Sequence, residues 1–316
     1  MPPLLPDCPT REAFHALVER PEPWLPVVRE LAARHGLPAP VPADHRPAGT
    51  VVFLLGDHVL KLTPRWWERE LDAEAATLPL VAGRLGIASP LLVARGEIED
   101  WPYIVITRLP GSALDLRKSA GPVEERCAIA AAAGEALARM HALPTGPFAG
   151  LPVHAGAFEA HRREVAPACQ RAWGLPGPLV DELPGWLEVT GPLLGGDYRP
   201  VPVHADLHHQ NLLVEERDGR RIATGIVDFG DAALGPPEFD LGVPALFLGR
   251  GDPAVLDALF SGYGRPGARR DPGFRRRLLA WMFLHPFGNM ARFVSRGEGR
   301  TPRATMAEFE ADLLPG

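Results

Sequence analysis

Apolar positions recur with two different periods along this chain, and the change of period divides it. Residues 11–20 and 24–36 have helical spacing, interrupted by Pro21 and Pro23 and closed by Gly36. The Pro-rich stretch Pro38–Pro47 predicts a loop. Thr50–Leu55 and His58–Leu62 are short apolar runs separated by Gly56-Asp57, which predicts a β-hairpin. Residues 65–78 return to helical spacing, with Trp67, Leu71, Ala75 and Leu78 on one stripe, and Pro79 is expected to disturb the last turn. Leu91–Arg95 and Tyr103–Thr107 predict two more strands. The result is a small antiparallel sheet with one inserted helix.

After Leu109-Pro110-Gly111 helices dominate. Residues 123–142 predict a long Ala-rich helix and Phe158–Trp173 another. Three short strands follow, Val201–Val203, Leu212–Val214 and Ile222–Val227, the last two joined by a turn at Asp218-Gly219. From Pro253 onward the pattern is helical. The expected class is α+β in two parts: residues 1–109, a β-rich lobe with extra N-terminal helices, and residues 110–316, a mostly helical lobe.

With 316 residues, 46% of them hydrophobic, the chain can bury a large core. A net charge of -6 argues against a nucleic-acid partner, because no positive excess is present to neutralise phosphates. The start, Met1–Asp7, has no basic segment or long apolar run, and Ala128–Ala133 is too short to span a bilayer. A cytoplasmic protein with no membrane partner is expected, and no obligate protein partner is indicated. Cys8, Cys127 and Cys169 lack metal-ligand spacing and are expected to be reduced. Of the 33 basic residues only Lys61 and Lys118 are lysine, so a lysine inside an apolar strand draws notice.

The densest polar cluster, His204-Ala205-Asp206-Leu207-His208-His209-Gln210-Asn211, lies between two apolar strands. A second, Asp228-Phe229-Gly230-Asp231, ends the strand at Val227. If those strands pair as a hairpin, their open ends bring Asn211 near Asp228, with Asp206 close behind. Hard oxygen donors in such small number suit magnesium, which shares its coordination with water and phosphate. Phosphoryl transfer needs a metal to neutralise phosphate charge, a carboxylate to take the hydroxyl proton, and a cation to hold the nucleotide. Asp206 fits the base, Asn211 and Asp228 fit the metal, and His204 is expected to orient the loop. Glu74 falls on the buried stripe of its helix and needs a cation; Lys61 is the natural candidate.

The pattern His204-x-Asp206-x-x-x-x-Asn211, followed by Asp228-Phe229-Gly230 and then Pro237-Glu238-Phe239-Asp240-Leu241, resembles the aminoglycoside phosphotransferase and choline kinase family. The resemblance covers roughly residues 40–250. It implies a bilobal protein-kinase-like fold that binds ATP or GTP with magnesium between the lobes and phosphorylates a small-molecule hydroxyl. The sequence departs from the commoner His-Gly-Asp form at Ala205. By the same resemblance Lys61 reaches the nucleotide phosphates, Gly49 and Thr50 are the candidate phosphate loop, and the Thr107 carbonyl and Leu109 amide bond the base. The absence of a three-glycine loop and of an activation segment points away from a protein kinase.

Several other residues carry blander expectations. Adjacent histidines in a strand point to opposite faces, so His208 and His209 are not expected to share a metal ion. His141 is expected to cap its helix, Trp66 and Trp67 to pack a helix face, and most of the ten arginines between 265 and 303 to form a solvated face. The resemblance suggests an aminoglycoside or hygromycin-like acceptor, which would need acidic partners; Asp231, Glu238, Asp240, Glu159 and Glu164 are the candidates. The alternatives are a kinase of another hydroxylated metabolite or natural product, or a nucleotide-binding module without turnover.

Overall fold

The computed structural model describes residues 3–43, 49–115, 121–194, 199–294 and 304–316. Residues 44–47 of the predicted loop, Lys118 and the arginines within 295–303 lie outside them. The chain divides into two compact units. Met1–Ala82, Ala88–Pro110 and Val227–Asp231 form the first; Gly83–Ile87, Gly111–Ile226 and Ala232–Gly316 form the second.

The first unit holds helices α1 (Arg11–Val18) and α2 (Leu25–Arg34), strands β1 (Val41–Pro42), β2 (Val51–Leu55) and β3 (His58–Leu62), helix α3 (Glu68–Val81), and strands β4 (Leu92–Ile98) and β5 (Trp101–Thr107). The strands form an antiparallel sheet in the order β1-β2-β3-β5-β4. Register sorts the side chains by face, because alternate residues of a strand point to opposite sides. Phe53, Leu60 and Val105 stand opposite one another, as do Val51, Leu62 and Tyr103. This set packs with Phe14, Val18, Trp24, Val27 and Leu31 of the N-terminal segment in one buried cluster. Residues 11–36 therefore cover one face of the sheet, and burying side chains such as Phe14 and Trp24 contributes about 1.5–3 kcal/mol each. Val52, Lys61 and Ile104 share the other face, where Glu74 of α3 meets Lys61. A 3-10 turn, Arg65–Trp67, leads into α3. The helix continues through Pro79 to Val81, because a proline this close to the C-terminus removes only one late hydrogen bond. Trp67 packs against Phe14 and His15, as expected of a helix-face residue.

The second unit contains β6 (Ser112–Ala113), α4 (Val123–His141), α5 (Ala157–Ala172), α6 (Gly177–Leu194), β7 (Val201–Val203), β8 (Leu212–Arg217), β9 (Arg220–Ile226), β10 (Ala233–Gly235), α7 (Pro237–Pro244), α8 (Pro253–Gly262), α9 (Pro272–Leu284), α10 (Ala291–Val294) and α11 (Met306–Leu313). Helices α4 and α8 approach through two glycines. A Cβ on Gly134 would stand 2.1 Å from the Leu259 carbonyl oxygen, and one on Gly262 2.1 Å from that of Ala131. Helix α6 survives Pro184 and Pro192 because Leu179, Val180, Leu183, Leu187 and Leu194 are buried along it. Strands β8 and β9 pair as the predicted hairpin, with Asp218 and Gly219 both at positive φ in the turn. Among the described residues, no helix is long and apolar enough to cross a membrane.

Candidate active site

In the first unit Lys61 is the centre of a three-residue ion cluster. Its Nζ lies 2.7 Å from Glu74 Oε2, 2.9 Å from Glu74 Oε1 and 2.8 Å from Asp228 Oδ1. The Lys61 side chain is 12% exposed, that of Glu74 2% and that of Asp228 39%. The ion pair inferred from the helix stripe is therefore formed, and Asp228 joins it. Burial alone would lower the Lys61 ammonium, but Asp228 and Glu74 together outweigh it and hold its pKa raised. Burial raises the Glu74 carboxyl, and Lys61 opposes that; the Phe229 backbone N–H also donates to it. Asp228 has a φ of 68°, a left-handed conformation that costs a non-glycine residue about 1–2 kcal/mol. The buried Phe229 and the bond to Lys61 hold it there. Asp231 is pushed up to about 7, by burial first and then by Glu70 and Asp228.

The other residues nominated in this unit have plainer surroundings. The Gly49 carbonyl accepts a hydrogen bond from Thr63 Oγ1, and a Cβ at Gly49 would meet the Trp67 ring at 2.9 Å. Glycine here is thus explained by packing against Trp67. Thr50 is buried beside it. Thr107 ends β5, where its hydroxyl accepts from the Leu91 N–H and its own N–H donates to the Leu91 carbonyl. Leu109 follows, half-buried, between exposed Arg108 and Pro110.

In the second unit the segment 204–211 is held from below. Asp240 is fully buried. Its Oδ2 accepts from the His204 N–H and from His141 Nε2, each at 2.9 Å, and its Oδ1 accepts from the Ala205 N–H at 2.9 Å. Burial would raise the Asp240 carboxyl, but the hydrogen bond and charge of His141, then His204, hold it below the usual carboxylate range. On the other side His285 Nε2 donates to the Ala205 carbonyl at 2.6 Å. His285 is 5% exposed, and burial depresses it to about 4. It is therefore neutral, with its proton on Nε2 and Nδ1 accepting from the Phe287 N–H. Ala205, clamped at both its N–H and its C=O, has a φ of 67°. This explains why glycine suits the position: only glycine adopts that conformation without strain.

The clamp sets Asp206. Its N–H donates to His204 Nδ1 at 3.2 Å, so His204 orients the loop as expected. Asn211 Nδ2 donates to the Asp206 carbonyl at 2.9 Å and to its carboxylate at 3.2 Å. The Asn211 amide nitrogen is thus committed to Asp206. Asn211 precedes Leu212, whose register partner is Ile226, two residues before Asp228. Among the described residues, no group of three or more His, Cys, Asp or Glu converges as a metal site. One carboxylate and one amide oxygen fit the small protein donor set of magnesium.

Three expectations are corrected. His141 does not merely cap α4; it is buried and bridges Asp240 and the Tyr263 hydroxyl. His208 and His209 do not alternate across a strand; they lie in a turn, and both rings pack on Phe247. The arginines from 265 on are not simply a solvated face. Arg269 is buried on Asp257, Arg275 reaches Glu310, and Arg265 and Arg277 both pair with Glu238. Glu238 and Asp240 are therefore already engaged, as is Glu159, which pairs with Arg163. Sequence reading missed Asp240 as a clamp and His285 altogether. Asp240 stands in a recognised motif and was accessible to it; His285 has no local signal.

The fold places the chain among solved kinase-like phosphotransferases. The GDP complex of aminoglycoside 2'-phosphotransferase-IIIa is 20% identical, with a TM-score of 0.69 over 85% of this chain and 92% of that one. A macrolide 2'-phosphotransferase from Brachybacterium faecium is 22% identical, with a TM-score of 0.58 over 87% and 99%. A streptomycin–ATP ternary complex of an aminoglycoside 2''-phosphotransferase is 16% identical, with a TM-score of 0.58 over 85% and 94%. No curated protein sequence matches the chain. The model of the phosphotransferase enzyme family matches residues 48–278, which span the Lys61 cluster, the 204–211 loop and the Asp240 clamp alike; the chain belongs to that family.

Proposed function

We propose that the protein transfers the terminal phosphoryl group of ATP or GTP to a hydroxyl of a small molecule. The observation that carries this reading is Lys61, a nearly buried ammonium held by Glu74 and Asp228 in an apolar strand. Such a charge is retained to meet another charged group, and in a phosphotransferase that group is the nucleotide phosphate. Thr107, the last residue of β5, and Leu109 just beyond it would bond the base through backbone groups. Magnesium, held by Asn211 and Asp228, would supply the charge neutralisation that phosphoryl transfer requires.

Asp206 takes the proton of the acceptor hydroxyl. The acceptor oxygen forms a bond to the terminal phosphorus as the bridging phosphate bond breaks, and the nucleoside diphosphate leaves with that electron pair. Asn211 orients the Asp206 carboxylate, and the Asp240–His285 clamp sets the backbone that carries it. The acceptor would be a hydroxylated natural product of the kinds named for the similar structures, aminoglycosides or macrolides. The test is magnesium-dependent release of nucleoside diphosphate in the presence of such acceptors. Asp206→Asn keeps the shape but removes the base and should lower kcat by about 10²–10⁴-fold. Normal turnover by that variant refutes the assignment.

A further inference from the structure

The indole of Trp67 stands where three segments of the first unit meet. Trp67 is the N-cap of α3, at the point where the turn after β3 passes into the helix. On one side it meets α1. Phe14 lies at a centroid distance of 6.4 Å, His15 edge-on at 5.6 Å, and the Arg11 guanidinium over the ring at 5.2 Å. Phe14 is fully buried and carries the contact on to Trp24 and Trp101, each at 5.9 Å. On the other side lies Gly49. A Cβ there would stand 2.9 Å from the indole Cε2 and 3.0 Å from Nε1, and Gly49 does not have a positive φ. The indole, and not the backbone conformation, therefore requires a residue without a side chain. The Gly49 carbonyl is fixed as well, by the hydroxyl of buried Thr63 at 2.9 Å.

The third contact is polar. The Trp67 indole N–H donates to the Glu70 carboxylate. A glutamate three residues after the N-cap ordinarily reaches back to the N-cap backbone N–H. Here that N–H donates to the Pro64 carbonyl at 2.8 Å, and the indole takes the carboxylate instead. Glu70 in turn packs beside the Asp228-Phe229-Gly230 segment, since a Cβ on Gly230 would stand 3.4 Å from Glu70 Cβ. Gly49 enters β2 just before Val51 and Val52, and Val52 is the register partner of Lys61. Trp67 thus joins the N-terminal helix to the Gly49–Thr50 turn and, through Glu70, to the segment that carries Asp228.

We infer that Trp67 is a positioning residue for the nucleotide phosphates, and that through it helix α1 braces the Gly49–Thr50 turn. The inference rests on the phosphotransferase reading, which sets that turn against the phosphates, and it gives the N-terminal helix a part in the nucleotide site. A turn held in place before its ligand arrives loses less freedom on binding, and the affinity is higher for it. Trp67 is only half-buried, and Arg11 and His15 are exposed. The ring and cation contacts from α1 are what fix the indole against Gly49, by edge-to-face and cation–π attraction.

The test compares ligands with and without phosphates on the full chain. Affinities for magnesium-ATP and magnesium-GTP are measured by calorimetry, and those for adenosine and guanosine by competition. Trp67→Leu removes the ring that Gly49 rests on. It should raise the nucleotide Kd about five- to tenfold and leave the nucleoside Kd within about twofold. Arg11→Ala combined with His15→Ala changes only exposed side chains and keeps Phe14 in the core. This double variant should raise the nucleotide Kd about two- to fivefold, and it provides the reading if Trp67→Leu does not fold. Gly49→Ala should weaken nucleotide binding in the wild type and much less in Trp67→Leu, where the obstructing ring is gone. Unchanged nucleotide affinity in either folded variant overturns the inference. So does a loss shared equally by nucleosides, which would show that Trp67 serves the fold alone. Magnesium-dependent binding and hydrolysis of ATP or GTP by the wild type separates the two failures. Where these persist and the variants bind as tightly, the brace fails and the phosphotransferase reading stands; where the wild type neither binds nor hydrolyses nucleotide, both fail.

Discussion

Acidification should weaken the protein through His285 in a definite window. The folded state keeps this imidazole neutral down to about 4, because it is buried and donates to the Ala205 carbonyl. In the unfolded chain it takes a proton near its ordinary 6.5. Its neutral state therefore supports the fold fully above about pH 6.5. As pH falls from there to about 4 the unfolded state binds a proton that the folded state refuses, and stability is lost. Each pH unit of that descent removes about 1.4 kcal/mol, so the whole window is worth about 3 kcal/mol. At 5% exposure little solvent screening reduces this. Carboxylates titrate in the same range, so the useful measurement is a difference. Urea unfolding at pH 7.5, 6, 5 and 4 is compared between the wild type and His285→Gln, whose amide nitrogen still donates but does not titrate. The gap between the two should shift by about 3 kcal/mol across the series, in favour of the variant at low pH. A gap that stays constant would refute a buried neutral imidazole at this position. His285→Ala adds a second check: it leaves the Ala205 carbonyl unpaired at a cost of about 1–3 kcal/mol. It should lower kcat more than KM, because the displaced group is the backbone that carries Asp206.

Lys61→Ala leaves two carboxylates without their cation and should cost about 3–5 kcal/mol of stability; paired with Glu74→Ala the loss should fall short of the sum of the single variants, and strict additivity in thermal melts would contradict the contact. Ala205→Gly relieves a left-handed alanine worth about 1–2 kcal/mol against about 0.5–1 kcal/mol of extra chain entropy, so its melting temperature should equal or slightly exceed the wild type, whereas a β-branched Ala205→Val should lower it sharply. Asp231→Asn, measured with chelator present, should stabilise the fold increasingly from about pH 4 to about pH 7 and evenly above. The reason is that the wild-type carboxyl ionises in the unfolded chain near 3.8 but in the folded protein only near 7; a stabilisation independent of pH would show that Asp231 is not held protonated.

Local pattern alone determined the hairpin of β8 and β9, the strands β2, β3 and β5, and the demand of Glu74 for a cation. Alternation and helical stripes report burial within a few residues, and one carboxylate on an apolar stripe is conspicuous. The order Asp206, Asn211, Asp228 was equally legible, because its spacing along the chain is itself the signal. Tertiary structure decided the rest. Helix α6 runs through Pro184 and Pro192 because burial of its leucines outweighs two broken turns, and propensity cannot see that burial. Glu238 was an open acid in the sequence and is ion-paired in the fold, since its arginines arrive from distant segments. Ala205 was a one-methyl departure in the sequence; its positive φ and its two-sided clamp make it a strained position. His285 lies 80 residues from the carbonyl it holds. A partner at that distance leaves no periodicity behind, because a hydrogen bond constrains atoms in space and not positions along the chain.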